Sequence, residues 1–408
     1  MRFSAMKPYS PTLDWIDDQS QNMLELVKGW AEINSYTFNL SGLKILAQEI
    51  EQALRIFNER IEFLDLPDAE KITSKGMLEI QSLGQAIKIQ KRPKAPKQIL
   101  LMIHMDTVYP PDQKFTVEEK EKNVLQGPGV TDAKGGLAVM LKALEALERS
   151  PFKDNLGWTV FINPDEEIGS VGSQPLLKTW VSQFHIGLVF EPCLANGNLV
   201  GARKGSGNFT IVVRGRAAHV GRDYKEGRNA ITVLAKLILE IEAWRERHPQ
   251  LIVNVGKIEG GSAANVVPDT AVTQINFRVD TPEEEMACQE NLKKVIGKFS
   301  SLDGMSVECR GGFSSPPKIL TKSILNLYQQ VKHCGEKIGL KLDWENSGGV
   351  SDGNRLAAWG LPNVDTMGVR GQGIHSPNEI LFIDSLTERA KLTALFLMKW
   401  AAGDLQNI

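Results

Sequence analysis

The sequence predicts an α/β fold, an α/β/α layered domain interrupted by a ferredoxin-like βαββαβ unit. Three observations predict it. Short, largely apolar runs at Gln98–Ile103, Trp158–Ile162 and Ile186–Phe190 have the length and texture of strands buried on both faces of a parallel sheet. Between the first two, Gly136 to Glu148 sets Leu137, Met140, Leu141, Leu144 and Leu147 on one helical face, so strand and helix alternate across 98–190. From about Gly201 the order becomes strand, helix, strand, strand, helix, strand, the element order of a ferredoxin-like unit.

From Gln19 to Ala53, apolar residues such as Met23, Leu24, Val27, Trp30 and Ala31 fall at three- and four-residue steps and predict a largely helical segment. Lys91–Lys97 is basic, broken by Pro93 and Pro96, and reads as an exposed hairpin loop. In the middle unit, strands are expected at Asn208–Gly215, Leu251–Ile258, Thr270–Val279 and Met305–Cys309. Its helices are expected at Asn229–Arg247 and Pro282–Phe299. The α/β pattern then resumes with a helix at Ser323–Ile338, a loop at Asn346–Asp352, a strand over 363–369 and a final helix. Ser385-Leu386-Thr387-Glu388 is a capping-box signal for that last helix. The boundaries that follow are 1–202 and 314–408 for the larger domain and 203–313 for the inserted one.

A chain of 408 residues has room for two full cores, and 42% hydrophobic with 24% charged residues argues for a globular protein over a disordered one. A net charge of −2 without a basic stripe excludes the usual electrostatics of nucleic-acid binding. No apolar run approaches the roughly 18 residues of a membrane span. Met1–Pro8 lacks an apolar signal core, so the expected location is cytoplasmic. Cys193, Cys288, Cys309 and Cys334 are widely spaced and form no CxxC pair, which excludes a disulfide scaffold or a Cys-rich zinc site. Cys193, two residues past Glu191, is read as a small buried thiol.

Chemistry-bearing residues gather where strands end, and in open α/β sheets ligands bind beyond the carboxyl ends of the strands. The first run stops at His104-Met105-Asp106, whose alternation points His104 and Asp106 the same way, so the carboxylate can fix the imidazole. The second stops at Asp165-Glu166-Glu167. Adjacent carboxylates repel unless a cation compensates, and one can ligate a metal while the other accepts a proton. A solvated acidic loop is the alternative, weakened here by the flanking Pro164 and Gly169. The third stops at Glu191. Asp132 lies in the glycine-rich Gly127–Gly136 and could equally cap the following helix. His375 lies in a second glycine-rich loop, where a lone histidine is usually just solvated. Together, His, Asp and Glu donors without thiolates suit zinc or a harder divalent ion.

With these residues in place, the chain resembles the M20 zinc metallopeptidases, which include glutamate carboxypeptidase, acetylornithine and succinyl-diaminopimelate deacylases, aminoacylase and dipeptidases. Six motifs occur in family order: HMD at 104–106, GPGVTDAKGG at 127–136, DEEIGS at 165–170, Glu191-Pro192, RGRAAHVG at 214–221 and GIHSPNE at 373–379. GGSAANVVPD at 260–269 and GGVSDG at 348–353, with Gly349 at the substrate, are most similar to the glutamate carboxypeptidase branch. The resemblance implies two zinc ions per chain, with Co2+ or Mn2+ as substitutes, bridged by Asp132. His104 and Glu191 would complete one ion's ligands, and Glu167 with His375 the other's. Glu166 would be the general base toward a metal-activated water, and Asp106 the partner of His104.

The inserted unit is similar to the family's lid and dimerisation domain, which implies a homodimer. His219, often acting from the partner subunit, would stabilise the oxyanion, with Asn265 in a similar role. Arg278 would hold a substrate carboxylate, and Arg310 is a further candidate for a side-chain carboxylate. Ala133 departs from the pattern, since a second aspartate or similar polar residue commonly follows the bridging one. The bond at that point is typically cis in the family. The implied activity is hydrolysis of an amide or peptide bond next to a free carboxylate. The alternatives are an N-acyl-amino-acid deacylase or dipeptidase of the same family, and a catalytically silent binding protein, against which the intact Glu166 argues.

Overall fold

The computed structural model describes residues 6–73, 76–113 and 116–405. Its centre is a six-stranded sheet built from β1 (Ile61–Leu64), β2 (Ala86–Lys91), β3 (Lys97–His104), β4 (Leu156–Asn163), β5 (Ile186–Val189) and β6 (Asn363–Val364). The spatial order is β1-β2-β4-β3-β5-β6, with β4, β3, β5 and β6 parallel and β2 antiparallel to both of its neighbours. Alternate residues of β3 enter different cores, as burial on both faces requires. Ile99, Leu101 and Ile103 join the large cluster under helices Ser20–Ala31, Gly136–Arg149 and Asp384–Ala402. Leu100 and Met102 join Phe161, Leu177, Val189 and Leu356 on the opposite face. Truncating a buried leucine here to alanine should cost about 2–5 kcal/mol.

Residues 205–315 form a second unit with its own sheet and core. Gly205–Arg214, Ile252–Gly260, Thr270–Val279 and Ser306–Ser315 make an antiparallel sheet in which the first and third strands are central. Helices Ala230–Glu242 and Pro282–Ser300 close a separate core around Ile211, Val213, Leu237, Ile275 and Phe277. Asn229 and Thr281 cap these helices, each side chain accepting an N–H from the first turn.

The segment 19–53 is largely helical as expected, in two helices, Ser20–Ala31 and Leu40–Leu54, the second capped by Asn39. Three local expectations need correction. Lys91–Lys97 is no hairpin, since β4 lies between the two strands it joins, and Arg92 is drawn in by Glu148 and the Leu156 carbonyl. The strand expected over 363–369 pairs only at Asn363–Val364. The final helix begins at Asp384 without a capping box, because the Ser385 hydroxyl donates to the Phe382 carbonyl and accepts from the Arg370 N–H. No helix among the described residues is long and apolar enough to cross a membrane.

Candidate metal centre

Parallel pairing brings the carboxyl ends of β3, β4 and β5 side by side, and His104, Glu166-Glu167 and Glu191 therefore arrive at one place from three strands. Asp132 reaches them from the loop before helix Gly136–Arg149. The glycines there are spatially required. Gly129 has φ +70°, and a Cβ on Gly136 would lie 1.9 Å from the Phe190 carbonyl oxygen, so only glycine lets this loop approach the end of β5. The Asp132–Ala133 peptide is cis. His375 is delivered by a small sheet, in which Ile380–Phe382 pairs antiparallel with Val124–Gln126 and draws the two glycine-rich loops together.

His104 Nε2 lies 3.0 Å from Asp132 Oδ1 and 3.8 Å from Glu191 Oε1. His375 Nε2 lies 3.3 Å from Asp132 Oδ2 and 3.2 Å from Glu167 Oε2. Two candidate donor groups result, His104–Asp132–Glu191 and Asp132–Glu167–His375, with the ligand atoms of each within 4.8 Å of one another. They share Asp132, one oxygen toward each group, which is the geometry of a bridging carboxylate. Asp132 is not a helix cap.

The electrostatics fit cations. Burial and the facing Asp132 push the Glu167 carboxyl up to about 7, and burial against Asp132 pushes Glu191 up to about 8 despite the His104 ring. Glu166 is raised well above the carboxylate range by burial and Glu191. Burial alone would lower His104, but Glu191, Asp106 and Asp132 outweigh it and hold the ring well above its ordinary value. Hydrogen bonds to Asp132 and Glu167 lift His375 to about 11. Asp132 is held below its usual range because His104 and His375 outweigh its burial. Three carboxylates and two imidazoles so disposed offer only nitrogen and oxygen donors, a set that suits zinc or a comparable divalent ion.

Asp106 does more than orient His104. The His104 Nδ1 lies 3.0 Å from the Asp106 carbonyl and 3.3 Å from its Oδ1. The same carboxylate accepts the Glu166 and Glu167 N–H groups at 3.1 and 3.2 Å and the Thr37 hydroxyl at 2.8 Å. It thus fixes the turn on which both glutamates ride. The Glu166 carboxylate faces the cleft and makes no hydrogen bond or ion pair among the described residues.

The cleft beside the donors has a volume of about 620 Å³ and runs between the sheet ends and the inserted unit. Arg278 lines it, donating to Asn276 Oδ1 at 2.9 Å and to the Gly348 carbonyl at 3.3 Å, and so does Gly349. Buried Cys193 also borders it, with its thiol toward the Val369 carbonyl at 3.4 Å. Other expected residues lie elsewhere. His219 and Asn265 sit on adjoining exposed loops, where the Val220 N–H donates to the Asn265 carbonyl, and neither lines the cleft. Arg310 is exposed on the edge strand, paired with Thr210, beyond the Ser206–Arg278 row that meets the cleft. The candidate assignment of Arg310 therefore finds no support in the geometry.

Three charged residues were not singled out in the sequence. Glu379 accepts the N–H groups of Gly129, Thr131 and Asp132, each at 2.9 Å, and holds the loop of the shared aspartate. Its place in GIHSPNE was the available signal. Arg203, in the cleft wall, donates to Asp365 Oδ2 at 2.8 Å, and Arg355 is 1% exposed beneath the Glu166 turn. Neither carries a mark in the sequence to separate it from a surface arginine.

A hydrolase fold with a candidate metal centre at its strand ends is the class that these features define. The sequence profile of peptidase family M20/M25/M40 matches residues 100–399, and the chain belongs to that family. It is 28% identical over 320 residues to carboxypeptidase G2 of Pseudomonas sp. (strain RS-16), covering 75% of each chain. It is 33% identical over 210 residues to a probable carboxypeptidase of Aspergillus terreus, covering 47% of each. Among solved structures, an M20 family metallo-carboxypeptidase from Sulfolobus solfataricus superposes with a TM-score of 0.71 at 18% identity, covering 93% of this chain and 99% of that one. Human carnosine dipeptidase 1 gives 0.69 at 16%, covering 97% and 100%. At such identities these two structures establish the shared fold.

Proposed function

We propose that this M20 hydrolase is a dizinc carboxypeptidase of the glutamate type, cutting an amide or peptide bond next to a free carboxylate. The observation that carries the reading is the pair of donor groups sharing Asp132, with Glu166 beside them on the cleft. His104 and Glu191 would hold one ion and Glu167 with His375 the other, both with Asp132. Divalent ions held there would polarise the scissile carbonyl and acidify a water. Glu166 then takes the water's proton on its carboxylate and returns it to the leaving nitrogen, while Asp106 keeps the turn and His104 in register. Arg278 clamps the substrate carboxylate. Residues 203–313 act as a lid in a cytoplasmic homodimer, and His219 and Asn265 serve the partner's cleft.

Turnover of N-acyl-glutamates, dipeptides and N-acetyl amino acids, each with and without chelator, tests this. Chelator-sensitive cleavage fastest on acyl-glutamates supports it. Preference for dipeptides or for N-acetylated neutral amino acids would assign the dipeptidase or deacylase activity instead. No turnover by zinc-reconstituted protein on any of them would leave a binding protein.

A further inference from the structure

The turn that carries Glu166 and Glu167 is held from two sides. Asp106 grips its backbone N–H groups from the sheet. On the other side is Arg355, on helix Asp352–Ala358, whose side chain is 1% exposed. Its Nη2 donates to the Gly169 carbonyl at 2.5 Å, at the residue that closes the turn with φ +93°. Its Nη1 meets Asp352 Oδ1 at 2.6 Å, and that same oxygen accepts the Ser170 hydroxyl at 2.6 Å. Its Nε donates to the Ser314 carbonyl at 2.9 Å.

Ser314 is the penultimate residue of the strand by which the chain leaves the inserted unit. Three residues beyond that strand, Lys318 pairs backbone to backbone with Arg203, on the segment by which the chain enters it, through N–H to carbonyl bonds of 3.1 and 3.0 Å. The base turn and the hinge also run close together, since a Cβ added to Gly169 would stand 3.1 Å from Ser314 Oγ. One planar, fully buried guanidinium thus bonds the turn of the proposed base and the hinge of the inserted unit at once. A lysine ammonium, a point donor, could not satisfy three acceptors set around a plane.

We infer that Arg355 is a positioning residue that couples the inserted unit's position to the placement of Glu166. When the unit moves about its hinge, Ser314 moves relative to Gly169, and Arg355 transmits that displacement to the turn. This rests on the reading of Glu166 as the base.

The test uses full-length zinc-loaded protein and the N-acyl-glutamate, dipeptide or N-acetyl amino acid that the wild type cleaves fastest. Arg355→Ala should lower kcat by about 10²-fold, the scale of an ångström-sized misplacement near the chemistry, with KM and bound metal near wild-type values. Added guanidinium at millimolar concentration should restore part of kcat in Arg355→Ala and none in Glu166→Gln. Should the alanine variant fail to fold, Arg355→Lys keeps the buried charge and should show the same kcat loss at unchanged KM. Unchanged kcat in either folded, metal-loaded variant overturns the coupling, and so does a loss that merely tracks missing metal. If Glu166→Gln itself retains turnover, the base assignment fails, whatever Arg355 does.

Discussion

At the carboxyl ends of β3, β4 and β5, His104, Asp132, Glu167 and Glu191 are largely enclosed, and two of the donor-bearing segments are anchored by further buried carboxylates, Asp106 and Glu379. In the inserted unit, His219, Asn265 and Arg310 are exposed, and none of them lines the cleft. Arg278 alone of the unit's four expected residues reaches it. The difference separates two problems of assembly. The donors converge within one chain because a parallel sheet delivers its strand ends to one edge. A transition-state contact from His219 needs a second copy of the chain or a large movement of the unit.

The sharpest way to break this division is at its centre. Glu166→Gln should reduce turnover by about 10²–10⁴-fold and leave metal content at the wild-type level, as measured by elemental analysis beside the assay. A variant that loses its metals would show that Glu166 and Glu167 have been assigned each other's roles.

His219→Ala probes the other side. Removing an oxyanion donor costs about 10²–10³ in kcat, so the variant should be strongly impaired although its side chain is exposed in the single chain. Mixing it with Glu166→Gln should recover part of the activity, because one site of a hybrid dimer keeps both residues. Labelled chains that exchange without any recovery would place His219 outside the partner's cleft. Arg278→Ala should act more mildly, raising KM for free acids by about 10- to 100-fold, the equivalent of the ~1.5–3 kcal/mol of a charged hydrogen bond. Amidated substrates should be much less affected, and an equal effect on both would remove the carboxylate clamp.

The same division governs what could be read from the sequence. The donors were legible because each marks a local event, an apolar run that stops or a glycine cluster that turns. Arg203, Glu379 and Arg355 were not, since their roles arise from burial and from partners far along the chain, such as Asp365, the Gly129–Asp132 loop and Gly169. An arginine on an amphipathic helix looks the same whether it faces water or a buried carbonyl. Arg310 shows how a strand position fixes what a side chain can reach. It sits on a strand of the right sheet, but its row pairs with Thr210 and Gln274, while the cleft is met by the row of Ser206 and Arg278.

The smallest expected effect concerns the donors without their ions. Glu167 and Glu191 have folded-state values of about 7 and about 8 against an ordinary 4.5, so the folded chain binds these protons more tightly than the unfolded one. Stability from a raised carboxyl is fully present below the ordinary value and is lost as pH rises through the folded one. His375, lifted to about 11 from an ordinary 6.5, adds a loss of the same sign, because above pH 6.5 the unfolded ring has given up a proton that the folded one still holds, and Asp132, held low, is ionised throughout the window. Chelated protein should therefore melt a few degrees lower at about pH 8.5 than at about pH 6, read as an apparent midpoint. Zinc should reverse the slope, because ligands that have given up their protons bind it better at the higher pH. Melting curves of the chelated protein that do not move between the two pH values would mean that the carboxylates do not crowd one another as the donor geometry requires.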